Sequence, residues 1–287
     1  MSGVMELALI TPVAYTRYVD LLPGRFCIGP VAFSREDYLT PFIHARNTIL
    51  DNGIFEDDLL DDKTLIDLTI SLRPKVLVVP DIINSNGEEN FNRAVEFYRS
   101  FVERNMRIDW PIELMYVIQC KRNDEDAFWH NFTQVMTDGR FKWIGICRDA
   151  VCNAFSQYTH TEDQELNRLY FSTELQRQYN VKQLLQNGKK FHFLGIGDNV
   201  WAIQYYWFVE SMDTASFFWA ATQGITISDD GVLKTELKRP RNYFTRDISS
   251  EVASSVFETD LKYNCLNAQL YAQKADTLRR NIVGGRL

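Results

Sequence analysis

The sequence predicts an α/β fold: a (β/α)8 TIM-type barrel with a β-hairpin insertion and a long C-terminal helix. Two patterns predict it. Short apolar runs alternate with amphipathic stretches, as parallel strands alternate with crossover helices. Polar residues or glycines (Asp51, Asp81, Gln119, Gly145, Gly195 and Asp213) stand at the carboxyl ends of successive apolar runs. In a barrel those ends converge on one face, where such folds place their chemistry. Seven strand-like runs are visible and an eighth is not obvious; count and length still favour a barrel over an open sheet.

The elements follow in order. Phe26 to Gly29 reads as a strand, followed by a helix from about Ser34, which reads as its N-cap with Asp37 three places on. Thr48 to Leu50 is a short strand ending at Asp51, with a helix near Lys63 to Leu72 after it. Lys75 to Val79 is a buried strand ending at Pro80-Asp81. Glu89 to Arg104 is a helix, because Phe91, Val95, Tyr98 and Val102 recur on one face. Glu113 to Ile118 is a strand ending at Gln119, and Asp124 to Met136 a helix. Trp143 to Ile146 is a strand, Asp163 to Leu185 largely helical, and Phe191 to Leu194 a strand ending in Gly195-Ile196-Gly197. Asn199 to Phe208 reads as a helix, and Ser211-Met212-Asp213 as the next strand end. Residues 224–246 read as a hairpin around Asp229-Asp230-Gly231, with a basic stretch after it. Ser249 to Ile282 reads as one long helix with Val252, Val256, Leu261, Leu266, Leu270 and Leu278 on a loose apolar face.

Bulk properties narrow the class. The chain has 287 residues, 45% hydrophobic and 24% charged, enough for one large globular domain over 1–287 with a C-terminal helical segment at about 248–287. No apolar run approaches membrane-spanning length, and Met1 to Ile10 carries Glu6 and lacks a basic start, so no signal peptide is read. Five scattered cysteines read as reduced thiols, so a cytoplasmic protein is expected. The four histidines form no close pair, and no metal or other cofactor is expected. A net charge of −7 disfavours a nonspecific nucleic-acid coat but leaves room for a local basic face.

Four segments resemble the tRNA-guanine transglycosylase superfamily. Leu50-Asp51-Asn52-Gly53-Ile54-Phe55 resembles its Asp-Ser-Gly-Gly-Phe motif. Pro80-Asp81 resembles its Phe-Asp step, and Val117-Ile118-Gln119 its Val-Gln-Gly-Gly motif. Phe191 to Gly197, followed by Ser211 to Ser216, is similar to its His-Leu-Leu-Gly-Ile-Gly segment and nucleophile strand. Order and spacing agree over about 45–225. Three departures stand out. Gln119 is followed by Cys120-Lys121, Gly145 lacks its glycine partner, and the C-terminal zinc motif is missing, with Cys265 alone and no histidine after 192. These losses resemble the DNA-modifying 7-deazaguanine branch (DpdA-like proteins), whose members act on phage and bacterial DNA, in host cytoplasm where phage-encoded.

The resemblance implies a pentosyltransferase that replaces guanine in DNA by a free 7-deazaguanine base. Asp213 would be the nucleophile at the sugar's C1′ and Asp51 the general acid/base. Asp81 and Gln119 would bind the base edge, with Gly145, Ile146, Leu194 and Gly195 forming the rest of the substrate pocket. From the residues themselves, a buried carboxylate at Asp81 suits a base that offers two adjacent N–H donors. Phe55, Tyr205 and Tyr206 are candidate stacking surfaces, and Lys238, Arg239 and Arg241 candidate phosphate contacts. The long C-terminal helix packs on the barrel or forms a homodimer contact, and no membrane partner is expected. Three other readings stay open: a tRNA-directed enzyme without zinc, an inactive nucleic-acid-binding barrel, and a barrel hydrolase of small glycosides. The same aspartates also serve as turn residues and helix caps in folds without activity.

Overall fold

A computed structural model of the chain describes residues 5–29, 31, 35–43, 45, 47–54, 60–104, 110–240, 242–245, 248–250 and 252–284. The expected helix start at Ser34, and Phe55, Arg241, Arg246 and Arg286, lie outside them.

Eight parallel strands form one sheet: β1 (Glu6–Leu9), β2 (Arg25–Cys27), β3 (Thr48–Leu50), β4 (Val76–Val78), β5 (Glu113–Ile118), β6 (Phe141–Cys147), β7 (Lys190–Leu194) and β8 (Ser211–Thr214). Their spatial order is β1-β8-β7-β6-β5-β4-β3-β2. Parallel strands covered by helices read as continuous apolar runs, and β5 and β6 do so, buried over almost their whole length. The sheet closes where Gly24, just before β2, bridges Ala8 of β1, its N–H donating to Leu7 O at 2.8 Å. Across the seam a Cβ at Gly24 would fall 2.9 Å from Leu7 O, so the close approach needs a glycine. The result is the predicted (β/α)8 barrel.

The eighth strand is β1, hidden in the N-terminal segment that sequence reading tested only as a leader peptide. It pairs with β8 from Glu6↔Ser211 to Leu9↔Thr214. Phe26 of β2 and His192 of β7 stack with ring centroids 5.6 Å apart. Strands β1 and β8 stand between β2 and β7 in the ring, so this contact crosses the barrel interior.

Outside the ring lie α1 (Glu36–Ile43), α2 (Asp62–Leu72), α3 (Gly87–Arg104), α4 (Glu125–Thr137), α5 (Arg148–Thr159), α6 (Gln164–Gln178), α7 (Val181–Gln186), α8 (Ser216–Thr222) and α9 (Ser254–Val283). Side-chain caps start several of them: Asp61 accepts from Thr64 N, Asp124 from Ala127 N, and Asp163 from Glu165 N and Leu166 N. Phe128, Phe132, Phe155 and Phe171 pack edge to face between α4, α5 and α6, and Phe132 stacks on Phe191 of β7.

Several expectations need correction. The long stretch from Asp163 to Leu185 is two helices, because Tyr179 turns extended and Asn180 caps a new start. Helix α5 was not foreseen. Asn199 to Phe208 contains only a 3-10 helix, Val200–Tyr205. The β-hairpin insertion over 224–246 is also corrected: its described residues form no paired strands. Ser228 N bonds to Val232 O at 2.9 Å, a tight turn, but the flanking backbone bonds elsewhere. Leu233 N donates to Asp198 O at 2.7 Å and Ile227 N to Asn264 Oδ1 at 2.8 Å, so the segment is tied to the barrel and α9 instead of to itself.

Helix α9 runs 30 residues, about 45 Å at the α-helical rise. Its buried face is Phe257, Leu261, Asn264, Cys265, Ala268, Ala272, Ala275, Asp276 and Arg279. Half of the expected face is buried: Leu261 lies in the core and Val252 and Leu278 pack against it, whereas Val256, Leu266 and Leu270 are exposed. Small and polar side chains let the helix lie close, with Asp276 Oδ1 accepting from Met5 N at 2.8 Å. No described helix is long and apolar enough to cross a membrane.

Candidate active site

The carboxyl ends of the strands open into a cavity of about 260 Å³. Its lining includes Asp51 after β3, Asp213 in β8, Leu194, Gly195 and Ile196 at the end of β7, and Arg148 just past β6. Asp51 and Asp213 therefore meet in one space, although they stand 162 positions apart in the chain and β1 and β2 intervene in the ring. Both are buried residues, about 8% and 5% exposed, that still reach the cavity.

Asp213 is held at both oxygens. Oδ2 lies 2.9 Å from His192 Nε2, and Oδ1 accepts from Gly195 N at 3.1 Å. His192 Nδ1 lies 2.7 Å from Ser211 Oγ. A carboxylate can only accept, so Nε2 carries a proton, and in a neutral ring Nδ1 accepts from the Ser211 hydroxyl. Gly195 takes this position because its φ is +75°, in the left-handed region. Arg168, fully buried, clamps the same turn by donating to Leu194 O and Gly195 O, both at 2.8 Å. Its partner Glu165 lies 3.7 Å away and accepts from Tyr206 OH. Tyr206 is thus a buried structural ring, whereas Tyr205 is half exposed, packs edge to face on Trp201 and does not line the cavity.

Asp81 and Gln119 form a separate polar cluster and do not line the cavity. Asp81 Oδ1 accepts from Asn52 Nδ2 and Oδ2 from Gln119 Nε2, both at 2.7 Å. Asn52 also donates to Val79 O at 2.9 Å. Burial pushes the Asp81 carboxyl above its ordinary value, and the two amide donors pull it partly back. Gly145 and Ile146 are buried within β6, outside the lining. A Cβ at Gly145 would lie 3.0 Å from Val117 Cγ2 and 3.1 Å from Leu194 Cδ1, so this glycine serves packing.

Of the basic residues, Arg239 lines the cavity and lies over Tyr243 and Phe244, its Cζ 5.2 and 5.9 Å from the ring centroids. Lys238 is exposed. Cys147 caps α5 and faces the cavity, but burial, with Asp149 adding to it, pushes its thiol up to about 12. It is a thiol, not a nucleophilic thiolate, near neutral pH. Among the described residues no group of His, Cys, Asp and Glu could hold a metal ion.

Sequence reading missed the roles of His192, Arg148 and Arg168. The signal for Arg148 was present: a polar residue at a strand end, two positions beyond where the strand was expected to stop. Arg168 and His192 become functional candidates only through contacts made across the fold.

No family model matches the chain, and no curated protein matches it.

Proposed function

We propose that this protein is a base-exchange transglycosylase that replaces guanine in DNA with a 7-deazaguanine derivative through a covalent aspartyl intermediate. The observation that carries the reading is the pair of carboxylates, Asp51 and Asp213, lining one cavity at the carboxyl face of the barrel. A cavity of about 260 Å³ is small for a ligand pocket (about 300–1,000 Å³), which suits a single extruded nucleotide and not a duplex.

The chemistry follows from the residues. One oxygen of Asp213 attacks C1′ as the bond from C1′ to the base nitrogen breaks, and the electron pair leaves with the base. Asp51 gives the departing guanine its proton. The incoming base returns a proton to Asp51 and attacks C1′ from the side the first base left, and Asp213 is released. Two displacements preserve the sugar configuration and need no energy source. Hydrogen bonds from His192 and Gly195 N hold the nucleophile in place, so it does not have to be ordered during attack.

In this reading Asp81, which stands outside the cavity lining and is held by Asn52 and Gln119, reads the base only once those amides give way. It then accepts from N1–H and the 2-amino group of guanine, the same donor pattern that the two amides offer. Adenine lacks this pair and would leave a buried carboxylate short of donors.

The test is mass spectrometry of nucleosides from single-stranded DNA and from tRNA, each incubated with the protein and a free 7-deazaguanine. The reading predicts the modified deoxynucleoside from DNA with wild-type chain and none with Asp51→Asn or Asp213→Asn. Modified tRNA with unmodified DNA would overturn the choice of polymer. Unmodified DNA and tRNA would overturn the reaction.

A further inference from the structure

We propose that Arg148 is an anion subsite of this cavity and holds a phosphate flanking the nucleotide whose base is exchanged. The inference rests on the transglycosylase reading above and adds to it a substrate contact.

Arg148 is the first residue of α5, directly after β6, and lines the cavity beside Asp51 and Asp213. Its guanidinium lies against the turn that ends β7. A Cβ at Gly195 would come 3.1 Å from its Nε and 3.3 Å from its Cζ, and one at Gly197 3.5 Å from its Nη1. Two glycines thus leave the room this group occupies. Its partners are the unusual feature: among the described residues its side chain makes no hydrogen bond and no close ion pair, and its charge acts on Asp198 only from a distance. Arg168, across the same turn, spends its donors on backbone carbonyls. The donors of Arg148 are free to meet a ligand, although the side chain is half-buried.

Charge decides which ligand. The cavity also presents Asp51, Asp149 and Asp213, with Asp149 accepting from Gln164 Nε2 at 2.9 Å. A second cavity, about 320 Å³, adjoins Arg148 on its other side and carries Glu162, Asp163, Glu165 and Asp198. A polyanion approaching these carboxylates is repelled unless a cation meets it, and Arg148 stands among them with Arg239. Guanine and 7-deazaguanine rings are neutral, so the anion of the proposed substrate is its phosphodiester. The planar fork of a guanidinium matches two non-bridging phosphate oxygens.

The experiment uses single-stranded oligonucleotides with one guanosine, either all phosphodiester or with one neutral methylphosphonate 5′ or 3′ to it. Exchange of labelled guanine and binding by fluorescence anisotropy are measured for wild type, Arg148→Ala and Arg148→Gln, with thermal melts confirming folding. We expect one methylphosphonate position to weaken wild-type binding about 10- to 100-fold. Both variants should lose the same factor on the all-phosphodiester strand, be indifferent to that replacement, and show a salt slope lower by about 1. Losses that multiply when variant and methylphosphonate are combined would overturn the subsite, as would unchanged binding by the variants. Coupled binding without any exchange would leave the subsite standing and overturn the transglycosylase reading. Exchange without coupling would do the reverse.

Discussion

His192 Nε2 stands 2.9 Å from Asp213 Oδ2, at the end of a hydrogen-bonded row that begins at Ser211 Oγ. The row runs between β7 and β8 in the barrel wall, where Phe26 stacks on the imidazole from across the interior. An imidazole bonded at both nitrogens and packed on one face has one orientation, and it transmits that orientation to the carboxylate.

Removing this donor should therefore cost rate more than affinity. We expect His192→Ala to lower kcat about 10- to 100-fold with little change in KM, since a lost charge-assisted bond is worth roughly 1.5–3 kcal/mol. His192→Gln, which can still present an N–H, should recover part of the loss. Equal activity of the two variants would show that His192 acts only as packing.

Asn52 gives a prediction of opposite sign in two assays. Asn52→Ala leaves Asp81 Oδ1 without its 2.7 Å donor, so stability should fall by roughly 1–3 kcal/mol in urea unfolding. If guanine's edge replaces the amide donors, the same variant should bind a free 7-deazaguanine more tightly than wild type in calorimetry. Weaker binding would mean that Asp81 reads no base.

Asp81 also sets a pH dependence. Its folded carboxyl is raised by burial, with Gln119 and Asn52 opposing, above the ordinary 3.8. In the window from 3.8 up to the raised value the folded chain binds the proton more tightly than the unfolded chain. That contribution is present in full below the window and is lost as pH rises through the folded value. The urea midpoint of wild type should fall relative to Asp81→Asn as pH rises across this window, and a constant gap would contradict it.

The seam is the barrel's weak point. Gly24→Ala places a Cβ 2.9 Å from Leu7 O, and relief requires β1 and β2 to part. A loss of about 1–3 kcal/mol is expected, with hydrogen exchange increased first at Gly24 and Ala8. Unaltered exchange there would place the strain elsewhere.

Much of this architecture was legible because barrel strands are buried on both faces and end in polar residues. Val76–Val78 and Glu113–Ile118 announce themselves as apolar runs, and Asp51, Gln119 and Gly195 follow their strands directly. Strand β1 was missed although it is no shorter than β2, β3 or β4, because its apolar run was weighed only as a leader and its place is set by pairing with β8. The loop over 224–246 looked like a hairpin because the turn at Asp230-Gly231 is real; what its flanks bond to is a tertiary matter. The face of α9 was half misjudged because it seats Ala268, Ala272 and Ala275 against the barrel and leaves Leu266 and Leu270 outside. In the site, the pairing of Asp51 with Asp213 was readable from strand ends. The diversion of Asp81 to Asn52 and Gln119 was not, since it depends on side-chain geometry between neighbouring strand ends.

The central claim is that Asp213 forms a bond to a sugar in the cavity it shares with Asp51. Acid quench during turnover with single-stranded DNA, followed by nuclease digestion and peptide mass spectrometry, tests it directly. The account predicts a nucleotide remnant on the peptide bearing Asp213, absent in Asp213→Asn. A remnant that persists in that variant, or sits on another residue, would contradict it.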